Sequence, residues 1–193
     1  MVSNLSASQV TKNGLFSKSE KSVTLSFMIT TKKFLSESED GELKTKLVAV
    51  KNRDTLMLHL LRTYGMRSSE LLGLKKEDIG PESIVIRGTK NSNDREFPIP
   101  ADIMERIKEQ AQIVEGERVF PISGTMLRKI WYKYRTAKKG LHCLRHGVGV
   151  RTYQISKDII LTKQILGHKA LSSTMVYQSY VYSTSEFKKV LLP

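Results

Sequence analysis

The sequence has little of what a secreted or membrane-spanning protein needs. Its 193 residues include a single cysteine, Cys143, which excludes an internal disulfide framework and fits a reducing compartment. No apolar run approaches the roughly 20 residues that cross a bilayer. The first residues, MVSNLSASQVTKNG, lack the apolar core of a secretion signal. We therefore expect an intracellular, cytoplasmic protein.

Internal repeats and long low-complexity tracts are also missing, so a solenoid or a largely disordered chain is not expected. The first 45 residues differ from the rest, with nine serines, no extended helical period and one alternating stretch from Val23 to Ile29. We interpret residues 1–45 as a serine-rich extension that could be partly ordered. Residues 46–193 would form one folded domain that ends in a helix.

Acidic residues are few: 19 Asp and Glu stand against 32 Lys and Arg, which gives a net charge of +13. Such an excess commonly indicates a polyanionic partner, usually nucleic acid. A basic surface kept for solubility is the alternative. A membrane surface is not favoured, because no strongly basic amphipathic helix carries Trp or Phe along one face.

Apolar spacing predicts a mainly α fold with one small antiparallel sheet. Leu56, Leu60 and Tyr64 suit one face of a helix that Gly65 would end, and SSELLGL predicts a short second helix. Residues 82–99 read as a β-hairpin around a Gly/Asn/Asp turn. Further helices are predicted over residues 101–114, 125–138, 143–153, 157–166, 171–180 and 184–191.

Taken singly, the polar residues of the second half have ordinary explanations. His142 and His146 are four apart, as in metal sites, but no Asp or Glu lies in that segment and Cys143 would point elsewhere. His168 could cap a turn and Tyr177 could fill the core. Together with two arginines and a lysine they lack the paired carboxylates that two-metal nucleases need. A protein with this set would act on phosphate through fixed cations and a tyrosine nucleophile.

Four motifs, in this order along the chain, resemble those of a known protein family. YGMRSSELLGLKKEDI, TKNSNDREFPIP, HCLRH and LGH followed nine residues later by a tyrosine resemble the boxes of the tyrosine recombinase (phage integrase) family over about residues 50–180. This family shares its catalytic core with type IB topoisomerases. The resemblance implies the family's DNA breaking-rejoining fold. On these motifs it places the catalytic residues at Arg67, Lys90, His142, Arg145, His168 and the nucleophile Tyr177.

The resemblance also implies a mechanism without metal, ATP or other cofactor. Tyr177 would attack a DNA phosphorus, leaving a 3′-phosphotyrosyl link and a free 5′-hydroxyl. The two arginines and His168 would neutralise the non-bridging oxygens, and Lys90 would protonate the departing 5′-oxygen. His142 would act as a base or orient the nucleophile.

Other residues near these motifs are assigned more weakly. Tyr180 and Tyr182 do not match the spacing from His168, and His146 is interpreted as structural or as a residue that supports the catalytic ones from behind. In RKIWYKYR the aromatic residues alternate with bases, so a DNA-facing helix and a core helix both remain open. Contacts to DNA are expected at Arg95, Arg128, Lys129, Lys133 and Arg135.

Most members of the family carry a separate helical domain before the catalytic one, and 45 residues leave no room for it. We therefore expect a naturally minimal recombinase, a fragment, or a protein that relies on an accessory DNA-binding protein. The partner would be double-stranded DNA, bound by a homotetramer on paired sites and, in a bacterium or virus, at the nucleoid. The segment STSEFKKVLL would be exchanged between protomers or pack on its own core. A type IB topoisomerase and a non-catalytic DNA-binding regulator are the alternative functions.

Overall fold

The computed structural model describes residues 32–89, 92–178 and 191. A 3-10 turn, Lys76–Asp78, precedes the hairpin. The remaining elements, in chain order, are α1 (Glu37–Ala49), α2 (Arg53–Tyr64), α3 (Ser68–Leu72), β1 (Ser83–Ile86), β2 (Arg95–Pro98), α4 (Ala101–Ile113), α5 (Gly124–Tyr134), α6 (Cys143–Ser156), α7 (Ile159–Leu166) and α8 (Ser172–Met175).

The predicted fold class is confirmed: the described chain is mainly helical and carries a two-stranded antiparallel sheet. In this hairpin Ser83 lies opposite Pro98 and Ile86 lies opposite Arg95. Ile84 and Ile86 are buried, and the residues that alternate with them are partly exposed. One face of β1 therefore packs on the helices, as the period of two requires.

Helix α2 is the centre of the core and packs against both α1 and α6. Most of its residues are buried, and it ends as predicted at Gly65, which has a left-handed backbone (φ 63°) and donates to the carbonyl of Leu61. A Cβ on Gly65 would lie 3.1 Å from Leu166 and 3.2 Å from Val148. Glycine is therefore needed for both conformation and space.

Helix α1 was not predicted and is a correction to the sequence interpretation. It begins at a capping box formed by Ser36 and Glu39, and it buries only Leu43 and Leu47 of its 13 residues. The helical period was hidden because the other positions are mostly polar. The helix crosses the predicted boundary after residue 45, and residues 1–31 lie outside the described residues.

Helix α5 ends at Tyr134 rather than at the predicted residue 138. The chain turns because the Trp131 indole donates to the carbonyl of Lys139 (2.8 Å) and the Thr136 hydroxyl donates to that of Glu39 (2.8 Å). The aromatic residues divide between the core and the surface, and the DNA-facing role of this helix stays a prediction. Trp131 and Tyr134 are buried in the core, whereas Tyr132 is 57% exposed.

The predicted helix 171–180 appears as the short α8, with residues 176–178 following it. The predicted helix 184–191 lies outside the described residues except for Leu191, as do Tyr180 and Tyr182. Within the described part of the chain, no helix is long and apolar enough to cross a membrane.

Candidate active site

Arg145 lies at the centre of the site and joins two helix ends. It is the third residue of α6, is 2% exposed, and donates to the carbonyls of Gly65 and Leu166. These carbonyls belong to the C-terminal ends of α2 and α7, where helices leave acceptors without intrahelical partners. Burial, followed by the charge of Arg67, lowers the pKa of Arg145 to about 10.

Glu70 holds the arginines together, although no motif singled it out. Its carboxylate is fully buried and accepts from the backbone N–H of Arg67 (2.7 Å), from the Arg67 side chain (3.0 Å) and from Arg95 (2.6 Å). Burial would raise the pKa of Glu70, but the Arg95 and Arg67 hydrogen bonds outweigh it and lower the pKa to about 2. The sequence signal was a glutamate three residues after an N-terminal cap position.

Arg95 has a different environment from the one expected. The sequence suggested a phosphate contact, but the side chain is only 6% exposed and is paired with Glu70. Its Nε is buried without a hydrogen-bond partner among the described residues. Its contacts link β2 to α3 within the protein, and a contact between Arg95 and DNA stays a prediction.

His168 follows Gly167, whose left-handed backbone (φ 66°) ends α7. Its Nδ1 lies 2.9 Å from the hydroxyl of Thr174, and the ring is almost fully buried. Burial, and then the nearby charges of Arg145 and Arg67, lower the pKa of His168 to about 4. The imidazole is therefore neutral at pH 7 and can donate one N–H to an anion.

Tyr177 is buried, with 3% of its surface exposed. Its hydroxyl is hydrogen-bonded to Nδ1 of His146 at 3.3 Å, and its ring lies over Gly149, where a Cβ would overlap Cζ of the ring. Burial raises the pKa of Tyr177 to about 12, while Arg145 and Arg67 act in the opposite direction. The phenol is thus neutral and covered in this conformation.

Two histidines at the start of α6, His142 and His146, differ in their contact with the nucleophile Tyr177. His142 stands at the start of α6 and its ring meets that of His146 edge-on, with centroids 4.6 Å apart. Burial, with Arg145 and Arg67, lowers the pKa of His142; burial and then His142 lower that of His146 to about 4. His146, interpreted from the sequence as structural or as supporting the catalytic residues, is hydrogen-bonded to Tyr177.

Lys90 lies outside the described residues, so its role remains a prediction. The chain two residues later is described and is fixed beside His168. The Ser92 hydroxyl and the Asn93 amide both donate to the carbonyl of Gly167, at 3.1 and 2.8 Å. All other predicted catalytic residues lie within the described residues. Arg145 lies 3.9 Å from the Glu70 carboxylate that also pairs with Arg67, and His146 joins the ring of His142 to the hydroxyl of Tyr177.

The outer face of α5 is basic and partly aromatic. Arg128, Lys129 and Lys133 are exposed, and the guanidinium of Arg135 lies 4.5 Å from the ring centre of Tyr132. The helix packs against α3, whose first turn follows Arg67. The DNA contacts expected of this face stay a prediction.

Comparison with known proteins shows the family. The model of the phage integrase family matches residues 32–183. Tyrosine recombinase XerA of Thermococcus onnurineus is 31% identical over 161 residues, covering 75% of this chain and 57% of that protein. The Pyrococcus furiosus XerA is 32% identical over 164 residues, which cover 77% of this chain and 57% of that protein. The chain thus spans little more than half the length of these relatives.

Solved structures agree on the fold. The XerH site-specific recombinase bound to its difH substrate matches with a TM-score of 0.63 and 22% identity over 85% of this chain and 55% of that one. The catalytic domain of bacteriophage HP1 integrase matches with a TM-score of 0.59 and 24% identity, covering 83% of this chain and 95% of that domain. With its motifs, its fold and the family match in agreement, the chain belongs to the phage integrase family of tyrosine recombinases.

Proposed function

We propose that the protein is a site-specific recombinase that cleaves and rejoins double-stranded DNA through a phosphotyrosine bond to Tyr177. The observation that carries the proposal is the buried Arg145, which donates to the meeting ends of α2 and α7 and lies 3.9 Å from the Glu70 carboxylate that holds Arg67. His168 stands two residues beyond the Leu166 carbonyl that Arg145 binds. Relatives named as tyrosine recombinases, among them one solved with its DNA substrate, support it. Neither a topoisomerase nor a regulator gains support from them.

The chemistry would follow from these groups. The oxygen of Tyr177 forms a bond to a backbone phosphorus, and the bond from phosphorus to the 5′-oxygen breaks. The phenol proton leaves through the histidine pair His146 and His142, and Lys90 supplies a proton to the departing 5′-oxygen. A 5′-hydroxyl from another strand then reverses the step, so that the DNA backbone is restored.

Charge on the phosphate would be met by donors that the fold has already fixed. Arg67 and Arg145 present guanidinium forks to the non-bridging oxygens, and neutral His168 adds one N–H. Because Glu70 and two helix ends hold the guanidinium groups in place, little reorganisation is needed when charge grows on the phosphate. This preorganisation is what replaces a metal ion in the proposal.

The buried phenol has to be exposed before it can attack. In the described conformation Tyr177 rests on Gly149 and is bonded to His146, so DNA binding must release it. We further propose that four protomers assemble on two paired DNA sites, with an accessory DNA-binding protein and exchange of the C-terminal segment as possible contributors. That segment lies outside the described residues.

Covalent trapping on nicked DNA tests the proposal. DNA from the source locus carries a nick that lets the short leaving strand diffuse away, and EDTA is present throughout. We expect a denaturant-resistant protein–DNA band with the native chain and with the control Tyr153→Phe, and none with Tyr177→Phe. A band that persists in Tyr177→Phe, or the lack of any band with the native chain in EDTA, would refute the proposal.

A further inference from the structure

Thr174 makes a contact that nothing in the proposed mechanism uses. It lies on α8, three residues before Tyr177, and is fully buried. Its hydroxyl is 2.9 Å from Nδ1 of His168, and its carbonyl accepts from the amide of Tyr177 at 3.0 Å. One residue thus touches both the phosphate-binding histidine and the backbone of the nucleophile.

The direction of the hydrogen bond to His168 follows from the surroundings of the hydroxyl. Buried hydroxyl protons need an acceptor, and leaving one unpaired costs about 1–3 kcal/mol. Other threonines on these helices use the carbonyl four residues earlier: Thr162 donates to Asp158 at 2.8 Å, and Thr45 donates to Gly41 at 3.1 Å. Among the described residues, Thr174 has no such bond, and Nδ1 of His168 is the acceptor that its proton can reach.

A histidine that accepts at Nδ1 must carry its proton at Nε2 when it is neutral. The imidazole of His168 is neutral, because it is buried and faces the cations Arg145, Arg67 and Arg95 as well as His142. Within the described residues no group is hydrogen-bonded to Nε2. The proton therefore lies on Nε2, which no described group binds. This is the N–H that the proposed mechanism needs for a phosphate oxygen.

We propose that Thr174 is a positioning residue that fixes His168 in the tautomer carrying its proton on Nε2, so that this N–H can donate to the scissile phosphate. The expected effect on DNA cleavage rests on the proposed function, whereas the tautomer of His168 can be determined without it. The backbone bond from Tyr177 to Thr174 means that the same residue sets the spacing between the donor and the nucleophile.

The primary test is nitrogen-15 NMR of the full chain labelled at histidine, with the His168 signals assigned from a His168→Asn variant. We expect a single neutral tautomer protonated at Nε2 in the native chain and in Thr174→Ser, which keeps the hydroxyl. Thr174→Val keeps the shape and loses the hydroxyl, so both tautomers should appear. Thr162→Val is the matched control, because it removes a buried threonine hydroxyl that does not touch His168; its tautomer should stay native.

Covalent trapping on nicked DNA supplies the functional readout. Thr174→Val should form the covalent band about tenfold more slowly, the size of effect expected for one lost orienting hydrogen bond, whereas Thr174→Ser and Thr162→Val should stay within about threefold of the native rate. A native His168 protonated at Nδ1, or a Thr174→Val variant that keeps the Nε2 tautomer alone, would overturn the inference. If the native chain forms no covalent band, the proposed function fails while the NMR result still decides the tautomer.

Discussion

At the scale of single residues, the two arginines of the site differ in how much the fold depends on them. Arg145 is completely enclosed and satisfies two helix-end carbonyls, whereas the Arg67 side chain is 24% exposed and its partner Glu70 keeps a second bond to Arg95. The two arginines have similar proposed roles in chemistry but different roles in the fold.

Substituting each arginine with lysine should separate these roles. Both variants should lose at least about 100-fold in covalent trapping, because one guanidinium fork at the phosphate is gone. Arg145→Lys should also lower the free energy of unfolding by about 1–3 kcal/mol, since a buried carbonyl is left without a donor. Arg67→Lys should lower it by less than about 1 kcal/mol. Equal losses in urea unfolding would contradict this account.

Two glycines of α6 give a second, matched comparison. A Cβ on Gly149 would overlap the Tyr177 ring, while a Cβ on Gly147 would meet only the end of the Arg151 side chain at 3.6 Å. Gly149→Ala should therefore displace the ring and destabilise the fold by about 1–3 kcal/mol. Gly147→Ala should be neutral or stabilising by up to about 1 kcal/mol, because alanine favours a helix interior. Urea unfolding of both variants measures the difference, and similar values would mean that Tyr177 does not rest on Gly149.

At the scale of elements, the helices that carry clear apolar spacing were predictable, and α1 was not. Leu127, Ile130, Trp131 and Tyr134 repeat at helical spacing, so the buried face of α5 could be read once the helix was accepted. In α1 only Leu43 and Leu47 of the helix are buried in the core, and ion pairs such as Asp40 with Arg62 add contacts between residues far apart in sequence. No local sequence pattern predicts such pairs.

The candidate site, like the fold, could be predicted only in part from the sequence. The motifs indicate the residues that would touch the phosphate, but they do not single out Glu70, Thr174 and Gly149, which contact those residues. These contacts join α3, α6, α8 and the hairpin, which only the folded chain brings together. The motif likewise gave His146 no specific partner, because its contact with Tyr177 spans 31 positions in the sequence.

The exposed basic face of α5 leads to a prediction about DNA affinity. Changing Arg128, Lys129 and Lys133 together to glutamine should weaken binding and reduce the salt dependence of the binding constant by about 2–3 counterions, since each phosphate contact releases about 0.9. Lys108→Gln on α4 is the control, because this lysine lies beside Glu105 and Glu109 and should not meet phosphate. Titrations at several salt concentrations measure the slope. An unchanged slope in the triple variant would remove α5 from the DNA interface.

At the scale of the whole molecule, the positive charge and the buried neutral histidines set the response to pH. In the folded chain the pKa values of His146 and His168 are lowered to about 4, whereas an unfolded chain would titrate near 6.5. Between these values the unfolded state binds more protons, so stability must fall as the pH drops from 6.5 to 4. Below about 4.5, protonation of Glu70 in the unfolded chain adds a further loss, because its folded pKa is about 2.

Urea unfolding followed from pH 7 to pH 4 should therefore show a midpoint that declines through this window. His146→Gln should decline less steeply than the native chain, because one of the histidines that must stay neutral is removed. Parallel curves for the two proteins would contradict the assignment of a neutral, buried His146.

The charge of +13 also bears on assembly. Electrostatic attraction would bring the chain to DNA but would not choose a sequence, since phosphate contacts carry no sequence information. Selection of a site would then depend on a few base contacts and on assembly of several protomers. The chain spans little more than half the length of its XerA relatives.

The measurement that tests the central claim most directly is identification of the amino acid joined to DNA. The trapped complex would be digested with protease and nuclease, and the remaining peptide–nucleotide sequenced by mass spectrometry. We expect a nucleotide attached through its 3′-phosphate to the oxygen of Tyr177. A link to Tyr180, Tyr182 or any other residue, or a link through a 5′-phosphate, would contradict the account of the site given by its geometry.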